Sequence, residues 1–293
     1  MSSFGSIRDF SSHFCPSRVQ PIIPERNRVH EAIANDRVVF AAFLSNANLR
    51  MVDAVIREVD VDDGEGGKIR FGPAAAFIDY EHAPFTTREV EDLVIYLHAA
   101  GVVPFVRVRE NNPDSFKPFL DMGALGLVIP QIGSKEDAVR AWEACLYAKR
   151  RPAGVGRASE YFVRFSEYQE RADDLMSVVL MVERRDAVDN IEDICKVLLP
   201  RRERDMLHVG PYDLARDMRT ELNSVAHKDA IRRIEDAARN YDIRLAGHAS
   251  TLSQARDMFD RGYRFLTYGE PYEAGLAKSG EWFFQSDPRP FVD

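Results

Sequence analysis

Polar residues with acid–base or ligand chemistry lie at or just after the ends of several short apolar runs in this sequence. Carboxylates, one histidine, one arginine and one glutamine recur there after five successive runs. They are Asp79, Glu81, His82, Arg107, Gln131, Glu183 and Asp213. A generic surface would carry many neutral residues at such positions, so their recurrence predicts one shared functional site.

Two of these carboxylates, Glu183 and Asp213, have the chemistry to hold a hard divalent cation. A histidine and an arginine are expected nearby, and two carboxylates leave coordination positions for water and substrate oxygens. Such an oxygen-rich site favours Mg²⁺ or Mn²⁺. A structural zinc site is disfavoured because no cysteine or histidine pair has zinc-ligand spacing. Taken alone, Glu183 is explained as an acid at a helix N-terminus and Asp213 as a capping residue. The prediction therefore depends on their joint placement.

Eight short apolar runs, each bounded by polar or turn residues, are the elements that would position these groups. They span residues 38–44, 75–79, 103–108, 126–130, 177–182, 206–209, 244–247 and 265–268. The runs alternate with amphipathic stretches, as buried parallel strands joined by helices do. Eight such units predict an α/β protein with a (β/α)₈ TIM barrel, and a doubly wound open sheet is the alternative. In a barrel, active sites lie at the C-terminal strand ends, where the polar residues fall.

Apolar residues at three- and four-residue spacing predict helices between these runs. The predicted helices span residues 87–100, 135–148, 187–199, 228–241 and 252–261. Thr86 with Glu89, and Ser134 with Asp137, have the spacing of capping boxes at two helix starts.

Composition and charge narrow the classes of protein. Hydrophobic residues make up 45% and charged residues 29%, which is ordinary globular usage. The net charge is −8 and the longest basic cluster is residues 149–151, so nucleic acid is not an expected partner. No stretch approaches the ~20 apolar residues of a membrane span, and no secretory signal pattern begins the chain. We therefore expect a cytoplasmic protein that interacts with no membrane, with Cys15, Cys145 and Cys195 as reduced thiols.

Two segments fall outside the repeating pattern. Residues 1–35 are rich in Ser, Pro and Arg and predict an irregular N-terminal arm, which leaves residues 36–293 for the barrel domain. Residues 59–72 are acidic and glycine-rich. They lack the acid spacing and closing glutamate of an EF-hand, so a solvated loop is expected there.

The sequence resembles the class II 2-oxo acid aldolases, a family that includes 4-hydroxy-2-oxoheptanedioate aldolase, 2-dehydro-3-deoxyglucarate aldolase and macrophomate synthase. The resemblance runs from about residue 38 to residue 278 and depends on five motifs in order. These are residues 78–84 (IDYEHAP), 106–108 (VRV), 120–124 (LDMGA) with Pro130-Gln131, Val182-Glu183 followed by Ala187, and 209–214 (VGPYDL). Each motif is weak alone, and their shared order and spacing are specific.

The resemblance implies a role for each matching position. Glu183 and Asp213 would hold the metal, which would be Mg²⁺ or Mn²⁺ with Co²⁺ as a further candidate. Arg107 would contact the keto oxygen of the substrate, and His82, paired with Asp79, would serve as the base. The implied substrate-binding residues are Arg107, Gln131, Gly210, Pro211 and Tyr212. The implied partners are a small-molecule 2-oxo acid and an aldehyde, and the protein would form a homo-oligomer, often a hexamer.

These roles predict cleavage of a 4-hydroxy-2-oxo acid into pyruvate, or a related 2-oxo acid, and an aldehyde through a metal-stabilised enolate. Decarboxylation of an oxaloacetate-like acid at the same metal, with or without capture of the enolate by an acceptor, is the second hypothesis. A barrel that binds a metabolite without turning it over is the third. His82 discriminates the first two, because only aldol cleavage needs a base for a hydroxyl proton.

The sequence departs from the family pattern in two places. The family commonly has glutamine two residues before the metal-binding glutamate, and Met181 stands there. A polar contact to the substrate or to a metal-bound water is therefore lost or supplied by another residue. The loop at residues 151–157 also differs and displaces an arginine that shapes the site entrance in the family. Because of both departures, the resemblance does not identify the particular substrate.

Overall fold

Eight parallel strands form a closed barrel in the computed structural model, which describes residues 27–57, 59–62, 68–149 and 165–268. In chain order the strands are β1 (Val39–Leu44), β2 (Val59–Asp62), β3 (Lys68–Phe71), β4 (Ala75–Asp79), β5 (Val103–Arg107), β6 (Gly126–Ile129), β7 (Ser177–Val182), β8 (Met206–Val209), β9 (Arg244–His248) and β10 (Tyr263–Tyr268). Strands β4 to β10 follow one another around the barrel, and β1 closes it between β10 and β4. The predicted (β/α)₈ TIM barrel is confirmed, and all eight predicted apolar runs are its strands.

Helices surround the barrel. In chain order they are α1 (Arg28–Ala34), α2 (Leu49–Ile56), α3 (Thr87–Ala99), α4 (Pro113–Met122), α5 (Lys135–Cys145), α6 (Phe165–Leu175), α7 (Arg185–Asp189), α8 (Ile191–Leu198), α9 (Pro211–Asp217), α10 (Val225–Asn240) and α11 (Leu252–Asp260). Helices α3, α5, α10 and α11 confirm the predicted segments, and both capping boxes are present. The segment predicted as one helix at residues 187–199 is two helices, α7 and α8, with Asn190 between them.

Helix α4 was not predicted from the sequence, because its two prolines are typical of loops and helix ends. Pro113 stands in its first turn, where a missing backbone N–H costs little, but Pro118 lies inside the helix. Phe116 and Phe119 are buried on one side of this helix and pack in the outer core cluster. Burial of an apolar face therefore stabilises a helix that local propensity disfavours.

Alternating strand residues divide the core into two layers. Phe77 and Phe105 belong to the cluster inside the barrel, whereas Ile78 and Val106 belong to the cluster between the barrel and its helices. The rings of Phe105 and Phe265 are 4.7 Å apart at their centroids. All five residues of β4 and of β5 are buried, as expected of strands covered on both faces.

Helices α1 and α6 contribute to the same inner cluster as the barrel strands. Val29 of α1 and Tyr168 of α6 are buried in that cluster, and the Asn27 side-chain amide donates to the Leu175 carbonyl at 2.8 Å. Asn27 also caps α1 by accepting from the Val29 amide. The expected irregular arm is therefore wrong for residues 28–34, because this amphipathic turn has a cap and a core to bury against. Residues 1–26 and 269–293 lie outside the described residues.

The expected solvated loop at residues 59–72 is also wrong in part, because β2 and β3 pair as antiparallel strands outside the barrel. Apolar and charged residues alternate along both segments, which is the period of a strand. The register sets Asp60 opposite Arg70 and Asp62 opposite Lys68, so each acidic position faces a basic one.

Two further expectations concern the cysteines and membranes. Cys145 and Cys195 are buried and form no disulfide within the described residues, and Cys15 lies outside those residues. Within the described ranges, no helix is long and apolar enough to cross a membrane.

Candidate active site

The C-terminal ends of neighbouring strands bring the predicted residues to one end of the barrel. Asp79 and Arg107 end β4 and β5 and are partners in the strand register. Glu183 directly follows β7, and Asp213 stands in the first turn of α9, just after β8. Parallel strands end on the same side, so this convergence follows from the topology.

Arg107 is anchored by a buried ion pair with Asp79. Its Nε donates to Asp79 Oδ1 and its Nη2 lies near Asp79 Oδ2, both at 2.8 Å. The guanidinium carbon also lies 5.6 Å from the centroid of the Phe77 ring beneath it. Two parallel contacts fix the plane of the guanidinium, so its charge is held in a defined orientation.

The carboxylate beside the His82 ring is Glu81. Glu81 Oε2 lies 3.5 Å from His82 Nε2 and 3.4 Å from Arg107 Nε. Asp79 instead accepts the His82 backbone amide at 3.3 Å and uses both oxygens for Arg107. The implied pairing of Asp79 with the His82 ring is therefore wrong, since Arg107 occupies the Asp79 carboxylate.

Sequence reasoning left Glu81 without a role, although it placed this residue at the strand end. Burial raises the pKa of Glu81 to about 7; Arg107 opposes this shift, while Glu183, Asp79 and Asp213 add to it. Glu81 Oε2 is buried without a hydrogen-bond partner among the described residues. The signal for it was the acid next to His82 in the 78–84 motif, since a base needs an orienting carboxylate.

Glu183 is buried and held by the backbone at the end of β6. Its Oε1 accepts the Gln131 amide at 2.7 Å, and the side chain of Gln131 itself is exposed. Gln131 has φ of +60°, a left-handed conformation that costs a non-glycine residue about 1–3 kcal/mol. The strained peptide directs its N–H to the carboxylate, so the backbone of Gln131 is its contact in the site.

Gly210 leaves space that the Glu183 side chain uses. A Cβ at this position would lie 2.9 Å from the Glu183 Cβ and 3.3 Å from its Oε2. Next to it, the Pro211 carbonyl accepts from His227 Nε2 at 2.8 Å. Tyr212 is 72% exposed, and Asp213 is exposed as well. In this segment Gly210 therefore lies close to Glu183, whereas Tyr212 and Asp213 are exposed to solvent.

The electrostatics of Glu183 and Asp213 fit a bound cation. Burial raises the pKa of Glu183, the Gln131 amide offsets part of this shift, and the charge of Asp213 adds to it. A cation would relieve this repulsion between the two carboxylates. In the described part of the chain, no group of three or more His, Cys, Asp or Glu side chains could hold a metal. A two-carboxylate site completed by water and substrate suits Mg²⁺ in particular.

Met181 and two histidines line the barrel interior below these groups. Met181 is buried and pairs in register with His208 on β8. The His208 ring lies 5.9 Å from the Phe77 ring, and His248 Nδ1 lies 3.0 Å from Thr267 Oγ1. His208 is buried in this layer. The loop at residues 151–157 lies outside the described residues.

Comparison with known proteins places the whole site inside one matched segment. A family model described as HpcH/HpaI aldolase/citrate lyase matches residues 69–272, which include β4 to β10. Over 190 residues the chain is 32% identical to a hydroxypyruvate/pyruvate aldolase from Roseovarius nubinhibens, covering 64% of this chain and 71% of that one. It is 31% identical over 189 residues to a 4-hydroxy-2-oxo-heptane-1,7-dioate aldolase from Salmonella dublin, covering 64% and 69%.

A solved structure shares the fold. It is a HpcH/HpaI aldolase/citrate lyase family protein from Burkholderia cenocepacia, with a TM-score of 0.74 and 24% sequence identity. The similarity covers 89% of this chain and 98% of that chain. The barrel architecture therefore extends over nearly the full length of the solved neighbour.

Proposed function

Because the chain belongs to the HpcH/HpaI aldolase/citrate lyase family, we propose that it is a divalent-metal-dependent aldolase. Its substrate would be a 4-hydroxy-2-oxo acid, cleaved to pyruvate or a related 2-oxo acid and an aldehyde. Names of two relatives, a hydroxypyruvate/pyruvate aldolase and a 4-hydroxy-2-oxo-heptane-1,7-dioate aldolase, support this substrate class. The observation that carries the proposal is the convergence of Glu183 and Asp213 with the anchored Arg107 at one end of the barrel.

Glu183 and Asp213 would hold the cation. When bound, a divalent cation supplies positive charge that stabilises the oxyanion of the 2-oxo acid as the carbon–carbon bond breaks. The raised pKa of Glu183 supports this assignment, since an isolated buried carboxylate prefers its protonated form and a neighbouring cation reverses that preference. Mg²⁺ and Mn²⁺ are the proposed ions, with Co²⁺ as a further candidate.

Arg107 would supply a second fixed positive charge. During retro-aldol cleavage the electrons of the C3–C4 bond move toward the keto group, so negative charge develops on the keto oxygen. A guanidinium already held by Asp79 needs no reorganisation to stabilise that charge. Asp79 is thus a positioning residue for Arg107.

His82 would accept the proton of the C4 hydroxyl. Its side chain is 61% exposed and therefore open to substrate, and Glu81 lies beside its Nε2. Loss of the hydroxyl proton converts C4 to the aldehyde carbonyl as the C3–C4 bond breaks. The same proton is then available for C3 of the enolate, which completes the 2-oxo acid product.

Calorimetric titration with Mn²⁺ and oxalate tests the proposed site directly. Oxalate resembles the enolate of pyruvate, so we expect it to bind in the presence of Mn²⁺ and to bind far more weakly when the metal is chelated. Mg²⁺ with pyruvate serves as a parallel titration. If neither ion binds the wild-type protein, and oxalate binding is independent of metal, the proposed metal site is wrong.

Replacing His82 by Ala is expected to lower the rate of aldol cleavage by roughly 10²–10⁴-fold, because the hydroxyl proton loses its acceptor. Decarboxylation of oxaloacetate needs no such base and should continue in the same variant. Steady-state kinetics with both substrates measures the split. Added imidazole should restore part of the cleavage rate if the ring acts as a base. Unchanged cleavage would remove His82 from the mechanism, and wild-type protein that only decarboxylates would favour the second hypothesis.

Several expectations stay predictions. A small-molecule 2-oxo acid and aldehyde as partners follow from the proposed reaction. The homo-oligomer, with a hexamer as the expected form, follows from the resemblance in the sequence. The cytoplasmic location stays a prediction in the same way, as does an irregular arm for residues 1–26.

A further inference from the structure

His208 places a polar ring inside the barrel beside the proposed active site. Successive strand residues face opposite sides, so His208 faces the same side as Gly210, and Met181 the same side as Glu183. The register pairs His208 with Met181 on the neighbouring strand. His208 therefore lies in the barrel interior, two residues before Gly210. It forms the layer directly below Gly210 and Glu183.

The contacts of this ring place it near the proposed site. It packs on Phe77, and the Arg107 guanidinium lies over the same Phe77 ring. The charge of Arg107 also acts on His208 strongly enough to lower its pKa, as does His248. His208 is therefore close to the group that would contact the keto oxygen.

One ring nitrogen of His208 is unsatisfied within the described part of the chain. The residue is 7% exposed, and its Nδ1 is buried without a hydrogen bond among the described residues. Buried polar atoms in folded proteins are nearly always satisfied, so an exception beside a candidate site indicates a missing ligand atom. Other groups in this layer already have contacts, as His248 does with Thr267.

Met181, the register partner of His208, has no hydrogen-bond donor in its side chain. Met181 has no N–H or O–H, so it cannot donate the contact that a side-chain amide would make at that position. Its terminal methyl lies near Gly210, 3.5 Å from where a Cβ would stand. His208 is adjacent to Met181 in the barrel interior, and its ring nitrogen can donate a hydrogen bond.

The protonation state of the ring suits a particular kind of ligand. Burial, with smaller contributions from the charge of Arg107 and from His248, lowers the pKa of His208 to about 3. The ring is therefore neutral at working pH, with one N–H. The carboxylate and keto oxygens of a 2-oxo acid only accept hydrogen bonds near neutral pH, so a contact from Nδ1 to one of them requires the tautomer with its proton on Nδ1.

We propose that His208 Nδ1 donates a hydrogen bond to an oxygen of the bound 2-oxo acid, in place of the amide contact that Met181 cannot make. The proposal rests on the proposed function, because it needs a 2-oxo acid in the site. It makes His208 a substrate-binding residue of this chain.

A matched pair of variants tests the hydrogen bond. Asn and Leu have nearly the same shape, and the amide nitrogen of Asn can occupy the place of His Nδ1. We expect His208→Leu to weaken oxalate binding about tenfold in the presence of Mn²⁺, which corresponds to ~1.4 kcal/mol. His208→Asn should stay within about threefold of wild type, which a donor at this position explains. Mn²⁺ affinity without oxalate should be unchanged in both.

A second variant tests the link to Met181, and as a single change it does not depend on the folding of the Leu variant. Met181→Gln in the wild-type background should leave oxalate affinity nearly unchanged, because the oxygen already has its donor. The same change combined with His208→Leu should recover most of the lost affinity. Calorimetry on proteins whose melting curves show a folded state gives all of these values.

The outcomes separate the two proposals. Wild-type protein that binds no oxalate with Mn²⁺ overturns the proposed function and this inference together. Wild-type binding with equal affinity in the Leu variant, or an equal loss in the Leu and Asn variants, overturns the inference alone. A roughly tenfold gain from Met181→Gln in the wild-type background also overturns it, since the contact would then have been absent.

Discussion

Replacement of Glu183 by Gln is expected to lower kcat/KM for aldol cleavage by about three orders of magnitude, since a metal contributes several kcal/mol to such a reaction. The amide keeps the size of the side chain and can still accept from the Gln131 N–H, so the backbone geometry is retained. Its loss of charge removes one of the two proposed metal ligands. Steady-state kinetics with Mn²⁺, together with a direct Mn²⁺ titration, measures both effects.

Glu192→Gln is the matched control for this variant. Glu192 is an exposed acid in the first turn of α8, so the same chemical change there should leave kcat/KM and Mn²⁺ affinity near wild type. If Glu183→Gln retains normal Mn²⁺ binding and activity, Glu183 is not a metal ligand.

The Glu183→Gln change is expected to lower activity without lowering the stability of the metal-free protein. Burial raises the pKa of Glu183 in the folded state, so the ionised carboxylate destabilises the metal-free fold at pH values above that pKa. An amide cannot ionise and lacks this penalty. Metal-free Glu183→Gln is therefore expected to unfold at the same denaturant concentration as wild type or at a higher one. A clear loss of stability would show that the carboxylate has a structural role.

Replacement of Arg107 by Met is expected to lower kcat/KM by about two to three orders of magnitude, the scale for loss of one preorganised oxyanion contact. It should also destabilise the fold by about 3–5 kcal/mol, because Asp79 is left as an unpaired buried charge. Kinetics and denaturant unfolding at neutral pH measure the two losses separately.

The double variant Asp79→Asn with Arg107→Met separates stability from activity. Neutralising both partners removes the unpaired charge, so most of the lost stability should return. The Asn side chain can still accept the His82 backbone amide, which keeps the strand end in place. Activity should stay low because the positive charge is still missing. Recovery of activity in the double variant would mean that Arg107 serves the fold alone.

The arrangement of the barrel strands was predictable from local patterns. Strands covered on both faces must be apolar along their whole length, so β4 and β7 appear as continuous apolar runs. Polar residues at the ends of such runs then lie together at one end of the barrel. That is why the positions of Arg107 and Glu183 followed from the sequence before any contact was known.

Other elements depended on contacts that local patterns do not contain. Helix α4 holds an internal proline and forms because Phe116 and Phe119 reach the core. Helix α1 forms where Asn27 caps it and Val29 meets the inner cluster. Burial against distant residues thus outweighs the internal proline of α4 and stabilises α1, which is too short to be stable alone.

The sequence by itself therefore determined the fold class, the order of the strands and the set of polar residues near their ends. The tertiary structure decided which of those residues touch. It paired Asp79 with Arg107, placed Glu81 beside His82, and set His208 next to Met181. The reason is physical: strand periodicity determines which face a side chain takes, whereas the distances between side chains on different strands depend on the register and closure of the barrel.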